Sequence, residues 1–242
     1  MMSVVVPSMV PERAHKAIGD WRALMAKPAE HDYLIVDNSE TNRGVLASMQ
    51  EGYEKAGQPI IAYLHDDVDI AEENWDTRVE AEFADPSVGV VGFGGALWHG
   101  DADIYKTPYR LQQLGRGHYR SNTIDAESHG ERFTGACDVA TLDGFALIVR
   151  KELLDKAGGF PVDRMTFHSY DYWVCCMAHR LGYRVRVVGV KCQHHGGKTS
   201  TTPAYQEWIQ KTHGKTDVQV HEESHRCIFD EFYDVLPWRC QP

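Results

Sequence analysis

Short, uninterrupted apolar runs alternate with helical stripes over the first 91 residues, and this alternation limits the fold more than any other feature. Residues 3–6 form the first run, closed by Pro7. Residues 12–26 then carry Ala14, Ala17, Ile18, Trp21, Leu24 and Met25 at helical spacing. Tyr33-Leu34-Ile35-Val36 is a second run, closed by Asp37-Asn38-Ser39. A helix is expected over 41–56, stopped by Gly57 and Pro59. Residues 60–64 make a third run, with His65-Asp66-Asp67 at its carboxyl end. Trp75, Val79 and Phe83 mark another helix, ended by Asp85-Pro86, and 88–91 is a fourth strand. Strands without polar alternation are buried on both faces. The order β-α-β-α-β-α-β therefore predicts an α/β fold, with a mostly parallel central sheet and helices on both faces. Ligands of such sheets bind at the carboxyl ends of the strands. Pro7-Ser8, Asp37-Asn38 and His65-Asp66-Asp67 would then converge on one edge.

The second half changes character. Residues 100–136 are rich in Gly, Arg, His, Asp and Ser, with weak periodicity, and read as a long loop of the kind that covers an active site. Order returns at 140–150, and Gly158-Gly159-Phe160-Pro161 makes a turn. Trp173, Cys176, Met177 and Leu181 fit a helix stopped by Gly182, and 183–190 is a strand. A last helix is expected over 204–213, followed by a polar tail containing Trp238. No repeat or low-complexity linker divides the chain, so a single domain is expected.

Composition narrows the function. Of 242 residues, 25 are Lys or Arg against 35 Asp or Glu, a formal net charge of −10, which disfavours a broad phosphate-gripping surface. A disordered tail protein, a collagen-like chain and a disulfide miniprotein are excluded. No apolar run approaches the roughly 20 residues that span a bilayer, and the N-terminus lacks the basic region of a signal peptide. None of the six cysteines forms a Cys-x-x-Cys pair. Buried free thiols in a reducing cytosol are expected, hence a cytoplasmic protein without integral membrane association.

Four constellations carry chemistry. In His65-Asp66-Asp67 two adjacent carboxylates at a strand end point in different directions. One suits a divalent metal and the other a hydroxyl, or the group is a solvated acidic turn. Hard oxygen donors favour Mg²⁺ or Mn²⁺, and a histidine tilts the choice toward Mn²⁺. His194-His195-Gly196-Gly197-Lys198 places imidazoles beside a flexible loop whose amides and Lys198 could meet a phosphate, unless it is a plain surface turn. Asp171, early in the Trp173 helix, is either a base or a carboxylate complementing the helix dipole. The dipole would lower its pKa and keep it ionised. Asp143-Gly144, where glycine permits close approach, could hold an acceptor or donor hydroxyl or simply start a strand. Trp98 joins them as a candidate sugar contact.

The ordered set of Val6-Pro7-Ser8, Ile35-Val36-Asp37-Asn38-Ser39, Leu64-His65-Asp66-Asp67-Val68, Leu142-Asp143-Gly144-Phe145, Tyr170-Asp171-Tyr172-Trp173 and His194-His195-Gly196-Gly197 resembles the family 2 type of GT-A glycosyltransferases. The Leu64-His65-Asp66-Asp67-Val68 segment is particularly similar to the small members grouped with the StrF-like domain, and the family resemblance covers roughly residues 3–200. It implies a Rossmann-like GT-A domain over 1–242. That domain divides into a nucleotide-binding half (1–98), an acceptor and metal half (99–200) and a C-terminal helix and tail (201–242). The activity implied is metal-dependent, inverting transfer from a nucleotide-diphosphate sugar, UDP-type, to an acceptor hydroxyl. Pro7 and Ser8 match the first nucleotide loop. Asp37 matches the acid that reads the base, with Asn38 beside it. Asp67 matches the metal ligand of the Asp-x-Asp motif, and Asp66 would face the ribose or sugar. Asp171 matches the general base. His194 matches the metal-binding histidine better than His195 does. Two positions depart from the pattern: His65 replaces the first acid, and Tyr170 stands where a Glu often precedes the base.

Two other classes compete. A nucleotidyltransferase usually has a Gly-rich, basic first loop, which Pro7-Ser8-Met9-Val10 is not. A non-catalytic nucleotide-sugar binding module would not need the base. The acceptor stays open among a glycan, a small molecule and a modified DNA base. Lys106, Arg110, Arg116, His118 and Arg120, interleaved with Tyr105, Tyr109 and Tyr119, suit base stacking or a solvated loop.

Overall fold

The computed structural model describes residues 1–99, 118–124, 131–196 and 202–240. Lys198 and residues 100–117 lie outside this set, and with them most of the expected covering loop and of its basic and aromatic residues. The strands are β1 (Ser3–Ser8), β2 (Asp32–Asp37), β3 (Ile60–Leu64), β4 (Val68–Ile70), β5 (Val88–Gly92), β6 (Gly94–Ala96), β7 (Trp98–His99), β8 (Tyr119–Ser121), β9 (Glu131–Arg132), β10 (Ala136–Asp138), β11 (Thr141–Leu142), β12 (Ala146–Arg150), β13 (Arg184–Val188), β14 (Cys192–His194) and β15 (Trp238–Arg239). The helices are α1 (Pro11–Ala23), α2 (Val45–Lys55), α3 (Trp75–Glu82), α4 (Lys151–Ala157), α5 (Tyr170–Arg180), α6 (Pro203–His213) and α7 (Asp217–Phe232).

The central sheet has seven strands in the order β10-β13-β5-β12-β3-β1-β2. Its apolar strands sort their side chains by alternation into two cores. Val5, Ile61, Tyr63, Leu147 and Val149 face one core, built with α2, α4, α5 and α7. Val4, Val6, Ala62, Leu64, Ala146 and Ile148 face the other, built with α1 and α3. This two-sided burial is why the runs carry no polar alternation. Gly52 lets α2 close on β1, because a Cβ there would lie 2.4 Å from Val5 Cγ1.

Five of the seven strands run in one direction, so the expected mostly parallel sheet is present. One detail differs from a simple succession. β12 inserts antiparallel between β3 and β5, pairing with both, so the third and fourth sequence strands are not neighbours. A second difference is at the C-terminus, where the supposed polar tail contains the 16-residue α7. Thr216 and Gln219 form a reciprocal capping box at its start. Its buried stripe of Val220, Ile228, Phe229 and Phe232 is interrupted by buried Ser224 and His225, which hides the periodicity.

Two pairings position the functional residues. β14 pairs antiparallel with β4, setting His194 opposite Val68. The buried indoles of Trp21 and Trp75 donate to Val68 O and Trp21 O, tying α1 and α3 to the same segment. All six cysteines are free thiols. Among the described residues, no helix is long and apolar enough to cross a membrane.

Candidate active site

His65, Asp66 and Asp67 occupy the turn between β3 and β4, closed by a hydrogen bond from Val68 N to His65 O. They are thus in a turn, not on a strand, yet the two carboxylates still diverge. Asp67 Oδ1 is buried without a hydrogen-bond partner. It lies 3.4 Å from His194 Nε2 and 3.9 Å from His65 Nδ1, and those two nitrogens are 3.4 Å apart. Burial raises the Asp67 pKa, but the adjacent His194 and His65 imidazoles outweigh it and hold the carboxyl below its usual value. Burial, helped by His194, lowers the pKa of His65. The buried ring of Phe145 stacks on His194 at 4.8 Å, and a backbone hydrogen bond from His195 N to Asp67 O ties the following residue to the turn.

One orphaned carboxylate oxygen and two imidazole nitrogens converge here and fit a divalent cation held on one face. His195 takes no part in this group. Its Nε2 is 2.7 Å from Asp69 Oδ2 on the exposed side. The distinction turns on strand alternation, since consecutive residues at the end of β14 point to opposite sides.

Asp171 lies in the first turn of α5 and accepts from Gly144 N at 3.1 Å and Tyr172 N at 2.9 Å. The helix start was expected to lower its pKa. Instead burial first, and the Asp143 carboxylate second, push it up to about 7, against three backbone amides. Desolvation and a like charge outweigh the dipole here. Asp143 is itself held by the Phe145 amide and the Tyr119 hydroxyl, each at 3.4 Å. Ser169, directly before α5, has φ of +64°. Such a backbone costs about 1–3 kcal/mol and persists where its surroundings enforce it.

Gly144 was expected to admit a ligand. Its open face is filled by Tyr170 instead, since a Cβ on Gly144 would lie 2.4 Å from that hydroxyl. The hydroxyl is 2.8 Å from His65 Nε2. Burial and the Asp171 charge push its pKa well above the ordinary value, so the phenol is neutral. Tyr170 was noticed in the sequence only as a departure from a pattern. Its partner is 105 residues away, beyond the reach of any local signal.

At the end of β1, buried Ser8 donates to Asp66 Oδ2 at 2.5 Å, and Arg13 donates to Asp66 Oδ1 at 2.6 Å. Asp66 therefore faces Ser8 and α1. Arg13 is half exposed and was not singled out from the sequence, because a lone arginine on a helix carries no pattern. Pro7 and Ser8 sit in register with Val36 and Asp37. Asp37 is exposed, and the Ser39 hydroxyl and amide lower its pKa. Asn38 is buried and organises its own loop, donating to Asn42 and accepting from Arg43. Trp98 stacks on His118 at 3.9 Å between ring centroids, and β7 pairs with β15. A cavity of about 250 Å³ between 162–166 and α7 is lined by none of the candidate residues.

Comparison with curated proteins returns no match. Among solved structures, the chain is similar to the mannosyltransferase PcManGT from Pyrobaculum calidifontis, solved in complex with GDP-Man and Mn²⁺. Identity is 16 %, coverage is 94 % of this chain and 69 % of that one, and the TM-score is 0.54. It is also similar to GalNAc-T7 solved with UDP, GalNAc and Mn²⁺, at 11 % identity, 97 % and 57 % coverage and a TM-score of 0.51. These likenesses show a shared GT-A fold. A family model described as glycosyltransferase-like matches residues 23–232, a span that runs from the end of α1 to the end of α7 and includes His65, Asp67, Asp171 and His194. With sheet, site and family model in agreement, the chain belongs to this glycosyltransferase-like family and is a glycosyltransferase.

Proposed function

We propose that this enzyme is a metal-dependent, inverting glycosyltransferase that moves a sugar from a nucleotide-diphosphate donor, UDP-type, to an acceptor hydroxyl. One observation carries the reading. The His65–Asp67–His194 group and the Asp171 carboxylate, with its pKa of about 7, are joined through the adjacent residues Tyr170 and Asp171. The Mn²⁺ and nucleotide sugars bound by the two solved neighbours support it.

Asp67, His65 and His194 would hold Mn²⁺ or Mg²⁺, the two imidazoles favouring Mn²⁺. When bound, the ion supplies positive charge for the diphosphate leaving group. Ser8, Asp37 and Asn38 line the donor side at the ends of β1 and β2, where Arg13 adds a cation beside Asp66. Asp171 accepts the proton of the acceptor hydroxyl as that oxygen forms its bond to the anomeric carbon. The bond from that carbon to the phosphate oxygen breaks, and the nucleoside diphosphate leaves with the electron pair. A single displacement inverts the centre, and no sugar–enzyme bond forms. Asp143 keeps Asp171 basic by repulsion and would meet a substrate hydroxyl. The Gly144 amide orients the base.

Isothermal titration of UDP with and without Mn²⁺ tests the reading. Binding that requires Mn²⁺, followed by nucleotide release from a panel of nucleotide sugars, is the expected result. Binding of equal strength without metal would overturn the metal site.

A further inference from the structure

We propose that Tyr170 is a positioning residue, whose hydroxyl fixes His65 with Nδ1 aimed at Asp67 and His194 and so ties the metal group to the helix carrying Asp171. The inference rests on the metal reading above and goes beyond it.

Tyr170 Oη is 2.8 Å from His65 Nε2, while His65 Nδ1 faces the other two donor atoms at 3.4 and 3.9 Å. A neutral imidazole has one N–H and one lone pair. For Nδ1 to offer its lone pair to a cation, the proton must sit on Nε2, where the phenol oxygen accepts it. A hydrogen-bond partner on the far nitrogen fixes both the tautomer and the ring orientation of a ligating histidine.

The phenol fills the space over Gly144. A Cβ there would meet the hydroxyl at 2.4 Å and the ring at 2.7 Å. The same glycine donates its amide to Asp171 Oδ2. Gly144 thus meets both Tyr170 and Asp171. The two positions at which the chain departs from the family pattern, 65 and 170, are in direct contact. His65 as a ligand and Tyr170 as its support are one device.

The test is Mn²⁺ titration by calorimetry, without nucleotide, on wild type, Tyr170→Phe, His65→Ala and the double variant. Tyr170→Phe is expected to weaken Mn²⁺ by about tenfold. In the His65→Ala background the same change is expected to add no further loss. Unchanged affinity in Tyr170→Phe, or an equal loss in both backgrounds, would overturn the role of Tyr170 while leaving the metal site standing. No Mn²⁺ binding by wild type would overturn both. Imidazole ¹⁵N spectra of Mg²⁺-loaded wild type need no variant to fold beyond the His65→Ala used for assignment. They are expected to show His65 protonated on Nε2, and protonation on Nδ1 contradicts the proposal.

Discussion

Asp67 and Asp171 are both partly buried carboxylates of the same site, and their proton affinities move in opposite directions. At the β3–β4 turn, Asp67 is desolvated but faces two imidazoles and the more distant Arg13, and its pKa falls below the usual value. At the start of α5, Asp171 has three backbone amides and a helix N-terminus, yet burial and Asp143 raise it to about 7. The side chains are chemically identical, so the difference comes from the company. Imidazole neighbours keep one acid charged, as the proposed metal ligand must be. Burial and a like charge raise the other to about 7, as the proposed base requires. Environments that push two titratable groups apart are what acid–base chemistry requires.

The largest effect is expected from Asp67→Ala, which removes a ligand. It should weaken Mn²⁺ binding by more than the roughly 10–100-fold lost with a supporting partner, measured by calorimetry. If Asp67→Ala binds Mn²⁺ as wild type does, the β3–β4 turn is not the metal edge. Asp171→Asn should lower kcat by about 10²–10⁴-fold while UDP binding with Mn²⁺ is unchanged, read out as released nucleotide. Turnover at the wild-type rate would remove Asp171 from the base role. Asp143→Asn should move the acidic limb of the pH profile to lower pH, because the repulsion that raises Asp171 is gone. An unmoved limb would leave burial as the sole cause. The smallest effect tests a region outside the contrast. Thr216→Ala breaks the α7 capping box and should cost about 1 kcal/mol in a denaturant titration, with transfer unchanged.

The β3–β4 turn is easier to read from the sequence than the start of α5 is. Strands β1, β3 and β5 are visible as apolar runs because they are buried on both faces, and the half-buried edge strand β2 still carries the apolar run Leu34-Ile35-Val36. Their closing residues, Ser8, Asp37 and His65-Asp66-Asp67, are therefore visible as well. β12 is also apolar, but no run of residues states which strands it will pair with, so its insertion between β3 and β5 is hidden. α7 is hidden because Ser224 and His225 interrupt its stripe. At the site, His194 and Asp67 can be named from residue type and order. The direction of the Asp171 shift cannot, because it depends first on burial and second on Asp143, which lies 28 residues earlier, and both act only in the folded chain. The contact of Tyr170 with His65 is hidden for the same reason.

The most direct measurement is the pH dependence of kcat/KM for nucleotide-sugar turnover at saturating Mn²⁺, between pH 5 and 9. Asp171 must be unprotonated to accept the hydroxyl proton. The rate is expected to rise with pH through a single ionisation near about 7 and then level, with the limb absent from the residual activity of Asp171→Asn. A rate independent of pH over that range, or the same limb retained in Asp171→Asn, would contradict the role of Asp171 as base.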